Sequence, residues 1–507
     1  MDIVNGSKCS WSVNTVSRRM IYLQTLCLLL AGLHTAYSQD KKSHAIATTT
    51  GDKKIFCYYS SSANARPSVG KFWPEHLDPF LCTHIIFAFV DITEDGKDLK
   101  PNNWNDLGAD GLYARTMKLK EKNPKLKILL AVGGWKIGSK PFIPIMESEE
   151  NMKAWVKNVV KYLRKYGFDG LDMDWEFPAW RGSKPEDKYG FTILMKGLYD
   201  AFTEESKASG KDKLVLTLAT ASSTFYIDKA YEASEIYKYI DYMLLMTYNY
   251  HGSGWEKTVG HHSPLLPHRS DPEGEQRQLY QQWSISYWLK IGVPKSKLIV
   301  GLPTYGLGYK LTDEKNHGIR SSAEGGNTKG KYTGESGILS LYEICEKIQH
   351  ENWKVEWILD QRVPYAHGKG EWVGFESPDS IALKAKNIIK RGLAGAFVWS
   401  VEMDDFSGHC GGAKYPLLRT IHDILLTEHG TKVTSVAGHT DKQPDPGNID
   451  CNKVGLGIYK DDTSCLHFNL CVPADPKGLR ALKMVCPKGT KFDDELKICN
   501  HASKIDC

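Results

Sequence analysis

Eight short runs of apolar, β-favouring residues recur between positions 53 and 428, each followed by enough chain to form a helix. They cover 54–58, 84–89, 127–132, 168–173, 214–219, 241–247, 298–303 and 394–399. The runs are nearly continuous in hydrophobic residues, as parallel strands buried on both faces must be. Stretches with helical apolar spacing, such as 149–166 and 194–207, lie between them. Eight such repeats predict an α/β fold, a closed (β/α)8 TIM barrel. An open doubly wound sheet is the rival, but no Gly-x-Gly-x-x-Gly follows the first run. About ninety residues separate the seventh and eighth runs, too many for one connecting helix. They include a strand-like segment at 371–375, so a small α+β insertion is expected to form one wall of a cleft.

The chemistry-bearing residues fall where these runs end: Gly133-Gly134-Trp135, Asp174 and Glu176, Tyr248, Tyr305 and Trp399. Active sites of such barrels lie at the C-terminal ends of the strands. The densest signal is Phe168-Asp-Gly-Leu-Asp-Met-Asp-Trp-Glu-Phe177. Asp172, Asp174 and Glu176 alternate with Leu171, Met173 and Trp175, so on a strand the three carboxyls share one face. Stacked like charges repel, and at least one of them should keep a proton at neutral pH. Such a cluster weakens a fold and suits proton transfer, with one carboxyl as general acid and charged neighbours beside it. A solvated acidic edge strand is the competing reading, and the apolar residues in between argue against it.

The N-terminal region carries Arg18-Arg19, an apolar run over 20–33 and small residues at Ala36 and Ser38. This pattern predicts a secretory signal over 1–38, with Met20 an alternative start to Met1. No other stretch is apolar enough to span a membrane, so a secreted, extracellular protein without a membrane partner is expected. A net charge of +5 without a long basic run disfavours nucleic acid. The histidines, His261-His262 included, show no metal-ligand spacing, so neither metal nor cofactor is expected. Ten of the twelve cysteines follow the signal, an even number that suits an oxidising compartment. Cys57, Cys82, Cys345 and Cys410 are spread over the barrel region. Cys451, Cys465, Cys471, Cys486, Cys499 and Cys507 crowd into a tail that follows a polar linker at 429–450. That density marks a small disulfide-rich β module over 451–507, whose six cysteines allow fifteen pairings.

Residues 53–428 resemble a glycoside hydrolase family 18 catalytic domain of the animal chitinase type. The resemblance rests on Leu81-Cys-Thr-His-Ile-Ile-Phe-Ala-Phe89, Leu129-Leu-Ala-Val-Gly-Gly-Trp135, Met246-Thr-Tyr248, Pro303-Thr-Tyr-Gly306 and Val398-Trp-Ser-Val-Glu-Met-Asp-Asp-Phe406. An Asp-x-x-Asp-x-Asp-x-Glu signature, filled by Asp169, Asp172, Asp174 and Glu176, completes it. The tail is similar to a peritrophin-A type chitin-binding module in its cysteine spacing and in Tyr459, Phe468 and Phe492. The resemblance implies that Glu176 protonates the glycosidic oxygen while the substrate's own N-acetyl group attacks, with no protein nucleophile. It further implies that Asp174 orients that group, that Asp172 lies beneath and shares a proton with it, and that Tyr248 bonds the acetamide oxygen. Trp104, Trp135, Met246, Asn249, Trp255, Tyr305 and Trp399 would bind the sugar chain, with Trp399 as the floor of the cleaved unit. Implied disulfides are Cys57 with Cys82, Cys345 with Cys410, Cys451 with Cys471, Cys465 with Cys507, and Cys486 with Cys499.

Several residues depart from the family pattern. Asn249 stands where an Asp is common, His251-Gly-Ser-Gly-Trp255 carries one extra residue, and 58–62 lacks a tryptophan. Cys499-Asn-His501 lacks the aromatic often placed there. The expected function is that of a secreted, endo-acting, monomeric chitinase acting on chitin and chitin oligosaccharides. A chitin-binding lectin or a matrix protein on the same fold is the alternative.

Overall fold

The computed structural model describes residues 53–427 and, in the tail, 449–450, 457–473, 479–486, 490–493 and 498–501. The expected signal, 1–38, and nearly all of the expected linker lie outside the described residues. The eight parallel strands are β1 (Lys54–Ser60), β2 (His84–Ile92), β3 (Lys127–Gly133), β4 (Gly170–Asp174), β5 (Val215–Thr220), β6 (Tyr242–Leu245), β7 (Leu298–Pro303) and β8 (Gly395–Trp399). Each pairs with the next, and β8 pairs with β1, so the sheet closes into a barrel. Residues Leu99–Pro101 add an antiparallel strand to β2.

Alternation along each strand sorts side chains between two cores. Phe56, Tyr58, Ile86, Ala88, Leu129, Ala131, Leu244, Ile299 and Phe397 fill the barrel interior. Their neighbours, such as Ile55, Ile85, Leu130, Leu171, Met173 and Leu216, face the surrounding helices. Helix α1 (Glu149–Tyr166) begins at Ser148, whose side chain accepts from the Asn151 amide, and ends at Gly167 in the left-handed conformation. Helix α2 (Asp187–Ser209) starts well before position 194. Its first residue, Asp187, accepts from the Lys184 amide and from Ser183 Oγ, which extends the helix beyond its apolar pattern. Helices α3 (Thr224–Ala230) and α4 (Gln281–Ile291) follow β5 and β6.

The insertion between β7 and β8 is an antiparallel sheet of six strands built on Tyr305–Leu311, with helix α5 (Leu341–His350) against it. Helix α6 (Pro378–Arg391) then leads into β8, and α7 (Pro416–Leu426) follows it. A buried ion pair joins insertion and barrel: Lys384 of α6 meets Glu376, and its ammonium donates to Ser263 O and Oγ at 2.5 and 3.0 Å. Breaking a fully buried pair leaves an uncompensated charge and is strongly destabilising. Disulfides link Cys57 to Cys82 and Cys345 to Cys410.

The chain divides into two units, Met1–Thr431 and Lys432–Cys507. In the tail, strands Gly457–Lys460, His467–Pro473 and Leu479–Val485 form an antiparallel sheet, and Thr490–Asp493 pairs with Ile498–His501. Phe468 stacks on Phe492 at 5.0 Å, so these two rings serve the module's small core, while Tyr459 remains half-buried. Cys465 and Cys486 are disulfide-bonded. The implied pairings of Cys451 with Cys471 and of Cys465 with Cys507 involve residues outside the described ones, Cys451 and Cys507. No helix among the described residues is long and apolar enough to cross a membrane.

Candidate active site

Strand β4 carries Asp172 and Asp174 into the barrel, both nearly inaccessible to solvent. The strand stops at Asp174, and Glu176 is held by the turn that follows. Trp175 turns outward, where it stacks on Phe142 at 4.6 Å and its indole donates to Ser139 Oγ. The end of β3 comes close to this turn: the Gly134 amide donates to Asp174 O at 2.7 Å. A Cβ on Gly133 would sit 2.0 Å from that same oxygen, and Gly133 has a φ of 120°, so glycine is required there.

Asp172 is clamped by two donors, the Tyr58 hydroxyl at 2.7 Å and the Thr217 hydroxyl at 2.5 Å. Burial pushes its carboxyl up to about 6 despite these bonds. Asp174 Oδ1 is buried without a hydrogen-bond partner. Burial, then the neighbouring Glu176 and Asp172, raise its carboxyl well above the usual range. Glu176 keeps part of its side chain open to the groove, yet desolvation lifts its carboxyl to about 7. The Arg181 charge and the Trp135 amide oppose that rise. Three carboxyls thus share fewer than three charges near neutral pH, with a proton available at the exposed end.

The tip of β6 supplies Met246, Tyr248 and Asn249. Thr247 anchors this segment by donating to Gly301 O at 2.6 Å, and its own carbonyl accepts from Ser263 Oγ at 2.8 Å. Because Lys384 holds Ser263, the buried ion pair braces the backbone beside Tyr248. Tyr248 lies near all three carboxyls, and burial keeps its hydroxyl protonated and able to donate. Asn249 adopts a φ of 57° and accepts from the Tyr305 hydroxyl at 2.5 Å. Trp399 ends β8 with its ring 5.2 Å from Tyr58 and 5.8 Å from Phe89, at the bottom of the same cavity.

Trp135 is 57% exposed beside Glu176, with the Arg181 guanidinium 4.2 Å above its ring. Trp255 lies against Gly252 and is 61% exposed, and Trp104 projects almost fully into solvent. No described contact joins Trp104 or Trp255 to the carboxyls. Asp169 takes no part in the cluster. It sits below β4, bonded to Lys120 at 2.8 Å and to the Ile128 amide at 2.8 Å. The acids after Trp399 are structural as well: Glu402 accepts from the Ser60 amide, Asp404 from the Leu418 amide, and Asp405 from the His409 and Cys410 amides.

Reasoning from sequence missed Tyr58, Thr217, Arg181 and Tyr226. Tyr58 and Thr217 are readable as inward positions of β1 and β5 once register is known. Arg181 carries no local signal, because a loop delivers it, and Tyr226 sits on α3, whose placement near Glu176 depends on tertiary packing. His261 sits against the carbonyls of Pro364 and Phe375 at 3.1 Å. Among the described residues no group of three His, Cys, Asp or Glu side chains could hold a metal ion.

Comparison with known proteins agrees with this geometry. The model for glycosyl hydrolases family 18 matches residues 54–404, and that for the chitin binding Peritrophin-A domain matches 451–507. Mouse chitotriosidase-1 is 37% identical over 457 residues, covering 88% of this chain and 95% of that protein. A group IV chitinase from Ostrinia furnacalis superposes with a TM-score of 0.70 at 34% identity, covering 74% of this chain and 100% of the other. Human YKL-39, a pseudo-chitinase with retained chitooligosaccharide binding properties, has a TM-score of 0.68 at 34% identity, covering 73% and 98%. With the barrel, its inward carboxyls and both matches in agreement, the chain belongs to glycosyl hydrolase family 18 and ends in a Peritrophin-A chitin-binding domain.

Proposed function

We propose that this chain is a secreted, endo-acting chitinase that hydrolyses β-1,4-N-acetylglucosaminide bonds with retention of configuration. The observation that supports this reading is the intact carboxyl series, in which Asp172 and Asp174 are buried beneath Glu176 and desolvation lifts the Glu176 carboxyl to about 7. Glu176 donates its proton to the glycosidic oxygen as the bond to the anomeric carbon breaks. The carbonyl oxygen of the substrate's own acetamido group attacks that carbon and forms an oxazolinium ion. Asp174 holds the acetamido nitrogen and compensates the developing positive charge in a dry cavity. Tyr248 donates to the acetamide oxygen and aligns it. Glu176, now a carboxylate, takes a proton from water as water opens the ring from the same face. Trp399 and Trp135 offer aromatic faces to pyranose C–H surfaces.

Colloidal chitin tests the proposal: reducing ends should accumulate, and the first product of chitohexaose should carry the β configuration by proton NMR. Oligomer binding without new reducing ends would instead make the chain a lectin.

The site also predicts how the pH profile is set. Asn249→Asp adds a like charge beside Tyr305, whose hydroxyl already feels Glu176. Arg181→Gln removes a positive charge that holds Glu176 down. Each change favours protonated Glu176, so the acid works to higher pH and the alkaline limb of kcat/KM moves up, by up to about 1 unit. Profiles on a soluble chitin oligomer check this, and an unmoved limb in both variants would rule out electrostatic tuning from these positions.

A further inference from the structure

Beyond Glu176, aromatic rings continue away from the catalytic cavity toward the rim of the barrel. Phe177 meets Tyr226 at 4.7 Å, Tyr226 meets Trp180 at 5.1 Å, and Trp180 meets Phe225 at 4.8 Å. Ser139 Oγ fixes the Trp180 loop by donating to Trp180 O at 2.6 Å. Phe225, at the start of α3, is 45% exposed and forms one side of a cleft of about 390 Å³. Trp283 and Tyr287 of α4, stacked on each other at 4.9 Å, form the other side. This volume lies within the range of small-ligand sites, about 300–1,000 Å³.

The polar lining is held in place. Asp228 accepts from the Tyr287 hydroxyl at 2.5 Å, its carbonyl accepts from Lys188 at 2.9 Å, and Thr224 donates to Gln278 at 3.3 Å. The Lys229 ammonium stands 4.8 Å from the Trp180 ring and 5.1 Å from Phe225. Aromatic faces beside a carboxylate, an amide and an ammonium match a pyranose, whose apolar C–H face is edged by hydroxyl and acetamido groups. The direction fits too. Trp399 ends the strand opposite β4 in the barrel, so a chain passing from Trp399 beneath Glu176 runs on toward Tyr226 and Phe225.

We propose that the cleft between α3 and α4, with Phe225 and Trp283 as its platforms, is a further binding site for the β-1,4-N-acetylglucosamine chain where it leaves the catalytic groove. This rests on the chitinase reading for the ligand class. The test is calorimetric titration of the full chain carrying Glu176→Gln with chitotetraose and chitohexaose. Hexaose should bind more tightly than tetraose, and adding Phe225→Ala with Trp283→Ala should abolish that gain, weakening hexaose about two- to tenfold per ring lost. Phe225→Tyr, which keeps a stacking face, should preserve the gain. Unchanged hexaose affinity in the double variant, with melting temperature retained, overturns the cleft and leaves the chitinase reading standing. A loss of affinity in a protein whose wild type cuts no chitin supports the cleft while hydrolysis fails. Absence of any oligomer binding overturns both.

Discussion

Glu176→Gln will cut turnover of chitohexaose by about 10²–10⁴-fold, the range that general acid catalysis supplies, and leave oligomer binding intact. The amide keeps the shape and the hydrogen-bonding reach of the acid but has no proton to donate near neutral pH. The wild-type carboxyl owes its high affinity for a proton mainly to burial, opposed by Arg181, so it holds the proton it is proposed to donate at pH values up to about 7. Steady-state rates and calorimetry on one preparation separate the two effects. A Gln variant that retains more than about a tenth of wild-type turnover would remove Glu176 from the role of acid.

Asp174→Asn should lower kcat by about 10²–10³-fold, comparable to the loss of one preorganised electrostatic group, with a smaller change in KM. Asp174 Oδ1 has no protein partner in the resting site, although it is buried. That unmet capacity costs stability, and in the proposed mechanism an acetamido nitrogen donates to it. Asn cannot take the negative charge that balances an oxazolinium ion. If kcat were unaffected and KM alone rose, Asp174 would be a ground-state binding group.

Much of the barrel was legible because buried parallel strands demand unbroken apolar runs, and the same rule exposed Asp172 and Asp174 as exceptions. The bounds were less so. Asp169 leaves the strand to meet Lys120, and the chain turns at Trp175, neither of which the period-2 pattern encodes. Tyr58 reaches Asp172 across a separation of 114 residues, a contact that exists only after the barrel closes with its register in place. Arg181 and Trp180 come from a loop whose course depends on tertiary packing, as does the placement of Tyr226 on α3. The tryptophans divide in the same way. Trp399 is placed by a strand end, whereas Trp104 and Trp255 ride on loops and stand open to solvent.

Tyr305 opens the insertion sheet as the first residue of its central strand, and it also bonds Asn249 and packs 6.2 Å from Tyr248. The wall of the groove and the chemistry therefore have a residue in common. An insertion joined to the barrel through surface loops alone could be exchanged between relatives without harm to activity. Here, a transplanted wall would bring its own partner for position 249, and the two would have to match. Diversification of substrate preference in such a barrel is thus constrained to change both sides of the β7 exit together, as one inherited unit.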